Sequence, residues 1–231
     1  MEADRARRVE LLRSLGRVAR GLSTLFWALP LALIAQWETG RTDFFATPSA
    51  WSCAPAVALN ATLFYGLGQM RNFQKQERIW QHALTRGETL ALINAGLSPF
   101  VFWWRQFPDV AYFRLAVGLL ALSELVLLMQ TNRVMQRLTA MIPDEALRAE
   151  TKVFSSLNIW LLAGVFLGLS LWFGADASVG VAAQAQRILA MARTIGLGAI
   201  LFLTLFPLAL TLALLWKIKE VVFAGLFNQA N

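Results

Sequence analysis

Glu124 is the residue in this sequence best placed to do chemistry, because between Arg114 and Arg133 it is the only charged side chain in a long apolar run. A carboxyl there is expensive in hydrocarbon, and such residues mark proton or ion paths, or else bond a neighbouring helix. Three amides are candidates to join it: Asn94, Asn60 and Asn158, each inside its own apolar run. If the chain turns back at Pro108-Asp109, Asn94 and Glu124 sit at similar distances from the turn and so at similar depth. One reading is an intramembrane polar pocket or proton site. The other is a protonated Glu124 bonded to an amide as glue between helices, worth about 1 to 2 kcal/mol or less. The general commonness of polar packing contacts favours glue.

The remaining candidates are basic, small or solitary. Arg105 and Arg114 flank the same turn among Trp103, Trp104, Phe107, Tyr112 and Phe113. They would hold a lipid phosphate or an anionic ligand, or snorkel from an aromatic belt, which is the favoured reading. Arg13, Arg17 and Arg20 line one face of a basic stretch and are further candidates for anionic lipid. Gly164 and Gly168 form a G-x-x-x-G that lets another helix approach closely, within the chain or across a dimer. His82 is the sole histidine and Cys53 the sole cysteine, so a disulfide within the chain is excluded and a His/Cys metal or haem site is not expected. No H-E-x-x-H, G-x-S-x-G or phosphate-cradling loop occurs. No catalytic residue, metal or cofactor is expected.

What must position these residues follows from composition. Of 231 residues, 57% are hydrophobic and only 15% charged; a soluble fold could not hide that much apolar surface. Charged residues bound six apolar segments, at 21–37, 51–70, 89–104, 110–130, 153–174 and 194–216. The third is short and ends at Arg105, so a re-entrant segment is its alternative. Lys and Arg arbitrate, since cytoplasmic loops carry an excess of them. Six spans put sixteen of the 21 basic residues on one side and five on the other (Arg41, Arg105, Arg114, Arg187 and Arg193). Both termini then face the cytoplasm.

The expected fold is therefore all-α: a polytopic integral membrane protein of about six spans with amphipathic helices in the cytoplasmic interface. Residues 1–20 form the first such helix, 21–216 the spanning domain and 217–231 a cytoplasmic tail. Residues 71–84, with Phe73, Ile79, Trp80, Ala83 and Leu84 apolar, read as a second interfacial helix, and Val134, Met135, Leu138 and Met141 as a third. Ile142-Pro143-Asp144-Glu145 reads as a helix start running into the fifth span. Three hairpins, each with an amphipathic lead-in, are a weak further pattern.

The net charge of +7 lies between apolar runs, so an anionic membrane surface is the expected partner and nucleic acid is not. Seventeen Arg against four Lys point loosely to a bacterial inner membrane. The leading functional expectation is a non-catalytic, self-associating scaffold or a membrane-embedded subunit of a larger complex, with a protein partner or second copy. The alternative is a small transporter or channel with a polar site around Glu124. A lipid-modifying enzyme ranks third.

Overall fold

A computed structural model describes residues 2–41, 50–142, 144–177 and 205–224. Every regular element among them is helical. The order is α1 (Glu2–Arg41), a single 3₁₀ turn (Ala50–Cys53), α2 (Ala54–Met70), α3 (Arg78–Leu97), α4 (Pro99–Gln106), α5 (Ala111–Met141), α6 (Glu145–Ala177) and α7 (205–224). Among the described residues three stretches are long and apolar enough to cross a membrane: Leu12–Arg41, Ala111–Met141 and Glu145–Ser170. Only 22% of the most apolar window of α6 is buried, so most of its apolar side chains face outward. Trp27, Leu31, Ile34, Leu157, Trp160 and Leu167 are exposed in this way, a surface suited to lipid and not to water.

The expected 194–204 part of the sixth span, the loop with Arg187 and Arg193, and the tail beyond 224 lie outside the described residues.

Consecutive helices pack side by side: α1 on α2, α2 on α3, α3 on α5 and α5 on α6. The seventh helix closes the bundle, touching α1 through Trp216 and Phe26, whose rings lie 5.4 Å apart, and α6 through the Lys217–Glu150 ion pair. On α1 the buried residues are Val18, Leu22, Leu25, Leu29 and Ala32, alternating steps of four and three that keep one face inward.

Gly21 on that face meets α2 at its closest point. A Cβ at Gly21 would stand 2.6 Å from Met70 Cγ and 2.7 Å from the Gly66 carbonyl oxygen, and one at Gly66 would stand 3.1 Å from Thr24 Cγ2. The crossing exists because both positions lack a side chain.

Several expected boundaries are absent. The first helix runs unbroken across residues 20 and 21, where an interfacial helix was expected to give way to a span. The second lead-in starts later than its pattern implies: 71–77 is a turn, with Gln74 at a positive φ of 48°, and α3 begins at Arg78. Phe73, Trp80 and Leu84 are buried while Ile79 is exposed, and Val134, Met135 and Leu138 are wholly buried on the continuation of α5. These apolar faces pack in the protein core, since helix extension carries them past the ends of their spans and against neighbours. They are not free to lie in headgroups.

The expected third span is divided. Pro99 has no N–H to offer the helix and its ring crowds the preceding turn, so α3 ends at Leu97 and α4 starts at Pro99. Ser98 between them keeps helical angles, φ −52° and ψ −38°, which makes the junction a kink and not a turn.

At the start of α6 the acid read from sequence caps the helix: the Leu147 amide donates to Asp144 Oδ1 at 2.9 Å. Asp144→Ala should cost about 1 kcal/mol, as loss of such a cap does. Thermal unfolding in detergent against Glu145→Ala, which leaves that bond in place, checks it; equal effects would refute the capping role.

Candidate functional site

Three helices bring polar side chains to one cavity within the bundle. Its lining includes Asn60 from α2, Asn94 from α3 and Glu124 from α5, among apolar Leu29, Leu63, Leu127 and Leu208. The cavity measures about 20 Å³, room for about one water. Gln36 of α1 reaches the Glu124 carboxyl from the side.

The hydrogen bonds around this cavity are incomplete. Asn60 Nδ2 donates to the Ala56 carbonyl at 3.0 Å and to Ser98 Oγ at 3.1 Å. Ser98 Oγ in turn donates to the Asn94 carbonyl at 2.6 Å. The Asn94 side chain is wholly buried, yet among the described residues neither its Nδ2 nor its Oδ1 has a partner, and Gln36 Nε2 meets no acceptor in bonding geometry. Buried amides are nearly always bonded, and an exception asks for a water, an ion or a second conformation.

Asn158 is not part of this cavity. It belongs to a second polar cluster between α5, α6 and α7, where cross-helix bonds are many, although Asn158 Oδ1 is itself without a partner among the described residues. Asn158 Nδ2 donates to Asn132 Oδ1 (3.2 Å), to the Pro207 carbonyl (3.0 Å) and to Thr211 Oγ1 (2.8 Å). Asn132 Nδ2 also reaches Thr211 Oγ1 at 2.9 Å, and Ser155 Oγ donates to the Asn132 carbonyl at 3.2 Å. Polar groups wired in this way fasten helices together.

Gln36, Asn132 and Thr211 have no part in the sequence reading. Gln36 sits near the expected outer end of the first span, but α1 continues to Arg41, which brings it to the depth of Glu124. Asn132 follows the expected end of the fourth span, and α5 runs nine residues beyond it. Helix length was the missing signal in both cases.

The other expected site residues are dispersed. Phe100, Trp103, Phe107, Tyr112 and Phe113 form a cluster of rings 5.7 to 6.4 Å apart where α4 turns into α5. Arg105 lies 5.8 Å from the centre of the Phe102 ring, and Arg114 is exposed. Arg13 and Arg20 are exposed on α1, and Arg17 is partly so. Gly164 and Gly168 are exposed as well, with nothing among the described residues within 4 Å of where a Cβ would stand. The close helix crossing uses Gly21 and Gly66 instead.

Glu88, one residue before the expected third span, is buried and pairs with Arg71 at 3.4 Å. Burial pushes its carboxyl above the usual range, and the Arg71 guanidinium offsets part of that. Among the described residues no group of three or more His, Cys, Asp or Glu could hold a metal ion.

Fold and site together define a protein whose described residues are helical, with three helices among them fit to span a bilayer and an acid that shares a small, mostly apolar cavity with two asparagines. No protein-family model matches the chain, and no curated protein or solved structure is significantly similar to it.

Proposed function

We propose that this protein is a small membrane transporter or channel in which Glu124 carries a proton through the bundle. The observation that supports this reading most is the unbonded Asn94 side chain, wholly buried beside Glu124. Glue would bond across helices, as Asn158 Nδ2 does to Asn132 and Thr211 even though its Oδ1 is unpartnered, whereas the Asn94 side chain makes no bond at all among the described residues. An open amide beside an acid provides transient partners for a proton carrier or for a water that hands it on. The cavity has room for a water but not for an organic solute in this conformation. The break between α3 and α4 at Pro99, with Pro30 and Pro207 inside α1 and α7, marks places where access could alternate.

The topology that goes with this function has six crossings and both ends in the cytoplasm of a bacterial inner membrane. In it α2, then α3 with α4, and the helix ending in α7 add three crossings to the three longest apolar stretches. The positive-inside count supports that arrangement.

Liposomes holding the purified protein and a pH-sensitive dye test the function. An imposed pH gradient should collapse at least tenfold faster than in empty vesicles, and Glu124→Gln should return the rate to the empty-vesicle value with unchanged elution and helicity. Wild-type vesicles as tight as empty ones would refute proton carriage, as would a Gln variant that still conducts.

The exposed pair Gly164 and Gly168 favours a second reading, a self-associating scaffold or complex subunit, because no described helix of the chain covers it. The buried amphipathic faces count against partner docking there. A protein that conducts nothing and co-purifies with stoichiometric partners would support this reading over transport.

A further inference from the structure

A cavity larger than the one around Glu124 opens elsewhere among the described residues. It is an open groove of about 500 Å³ between α3 and α5, lined by Ile79, His82, Ala83, Arg86, Gln130, Arg133, Gln136 and Arg137. Such a volume falls within the roughly 300 to 1,000 Å³ of small-molecule sites.

Two ladders of helical spacing face one another across it. His82 and Arg86 are one turn apart on α3, and Arg133 and Arg137 are one turn apart on α5. Residues four apart on a helix are neighbours, and like charges there repel. No carboxylate lines the groove. Among the described residues none of the three arginines makes an ion pair; the nearby Glu88 is engaged by Arg71. Three exposed arginines therefore line one groove with no carboxylate in its lining.

The walls are fixed. Gln130 Nε2 donates to the Ala83 carbonyl at 2.9 Å, tying α5 to α3 at the groove, and Trp80, Leu84, Val134, Met135 and Leu138 on the same two helices are wholly buried. The arginine-bearing backbones are held in place by this core. Preorganised arginines of this kind suit an oxyanion that accepts several N–H bonds at once.

We infer that this groove is a binding site for a phosphate group, held by Arg86, Arg133 and Arg137 with His82 at its edge. Its level in the bundle agrees with that chemistry. Arg86 lies three residues before the expected third span, and Arg133 and Arg137 lie about 4.5 and 10 Å along the helix beyond Gln130, where the fourth is expected to end. On the six-span topology this is the headgroup layer of the cytoplasmic leaflet. The phosphate of an anionic lipid and that of a small soluble phosphate ester share the recognition chemistry, and Ile79 and Ala83 offer an apolar edge for an acyl or glycerol portion.

The test separates the two sources and uses no transport readout, so failure of proton carriage leaves it intact. Native mass spectrometry of the whole protein in detergent, titrated with phosphatidylglycerol or phosphatidylcholine, measures the lipid arm. Isothermal titration with glycerol 3-phosphate measures the soluble arm. The site predicts at least a tenfold preference for phosphatidylglycerol over phosphatidylcholine, or saturable binding of glycerol 3-phosphate. Either should fall at least tenfold in Arg133→Gln/Arg137→Gln. The control Arg41→Gln/Arg114→Gln changes the net charge equally outside the groove and should retain binding. If the double variant does not fold, Arg86→Gln on the opposite wall must show the same loss. No binding in either arm overturns the inference, as does a preference that survives the groove variants or falls equally in the control.

Discussion

Gly21→Leu should destabilise the bundle by about 3 kcal/mol, the upper end of overpacking costs. The reason is what the new side chain would meet. Its Cβ alone would stand 2.7 Å from the Gly66 carbonyl oxygen, a backbone atom that yields only if α2 moves. Met70, also within 2.6 Å, is flexible enough to shift, so the backbone contact sets the cost. Separating α1 from α2 would also uncover Leu22, Leu25, Leu63 and Leu67, all buried. In a membrane, packing contacts of this kind carry association between helices, because lipid tails are as apolar as leucine. The matched substitution Gly164→Leu faces open space and should change the stability of the monomer by less than about 0.5 kcal/mol, as surface changes do. Thermal or denaturant unfolding in detergent reads both. A Gly21→Leu protein as stable as wild type would mean that α1 and α2 do not cross here; a Gly164→Leu protein that stays stable but loses an oligomer would support self-association.

The same comparison says what the sequence could and could not reveal. A G-x-x-x-G is visible because both glycines lie in one helix, whereas Gly21 and Gly66 are on different helices and meet only once those helices pack. Pairing between helices of this sort leaves no local pattern. The helical character and the most apolar segments were legible, because burial in hydrocarbon demands long uncharged runs. So was the helix start at Asp144 and Glu145, although not the bond by which Asp144 caps it. Depth counted from the Pro108-Asp109 turn pointed Asn94 toward Glu124, and both line one cavity. Helix ends were poorly legible. Charged residues mark where a span should leave hydrocarbon, but α1 and α5 continue through Arg20 and Arg133 because the core continues with them. Gln36 and Asn132 went unread for that reason, and Asn158 was grouped with the wrong acid.

Asn158→Leu and Asn94→Leu separate the two polar clusters by the size, and even the sign, of their effects. Leucine at 158 removes the donor for Asn132 Oδ1 and one of the two donors that reach the Pro207 carbonyl, the other being Thr211 Oγ1. A buried acceptor left without its partner costs about 1 to 3 kcal/mol, and the loss should be about 2 kcal/mol here. Leucine at 94 removes an amide that makes no side-chain hydrogen bond and sits against apolar neighbours. Replacing such a group by an apolar one of similar shape is close to neutral or stabilising, so the protein should be unchanged or firmer within about 0.5 kcal/mol. If Asn94 serves a proton held on Glu124, the same firm variant should conduct at least tenfold more slowly. Stability without conduction would assign Asn94 to function, and a large loss of stability would return it to structure. The Asn158 variant should conduct in proportion to the folded protein it yields, since its bonds fasten α5 to α6 and α7 and do not reach the Glu124 cavity.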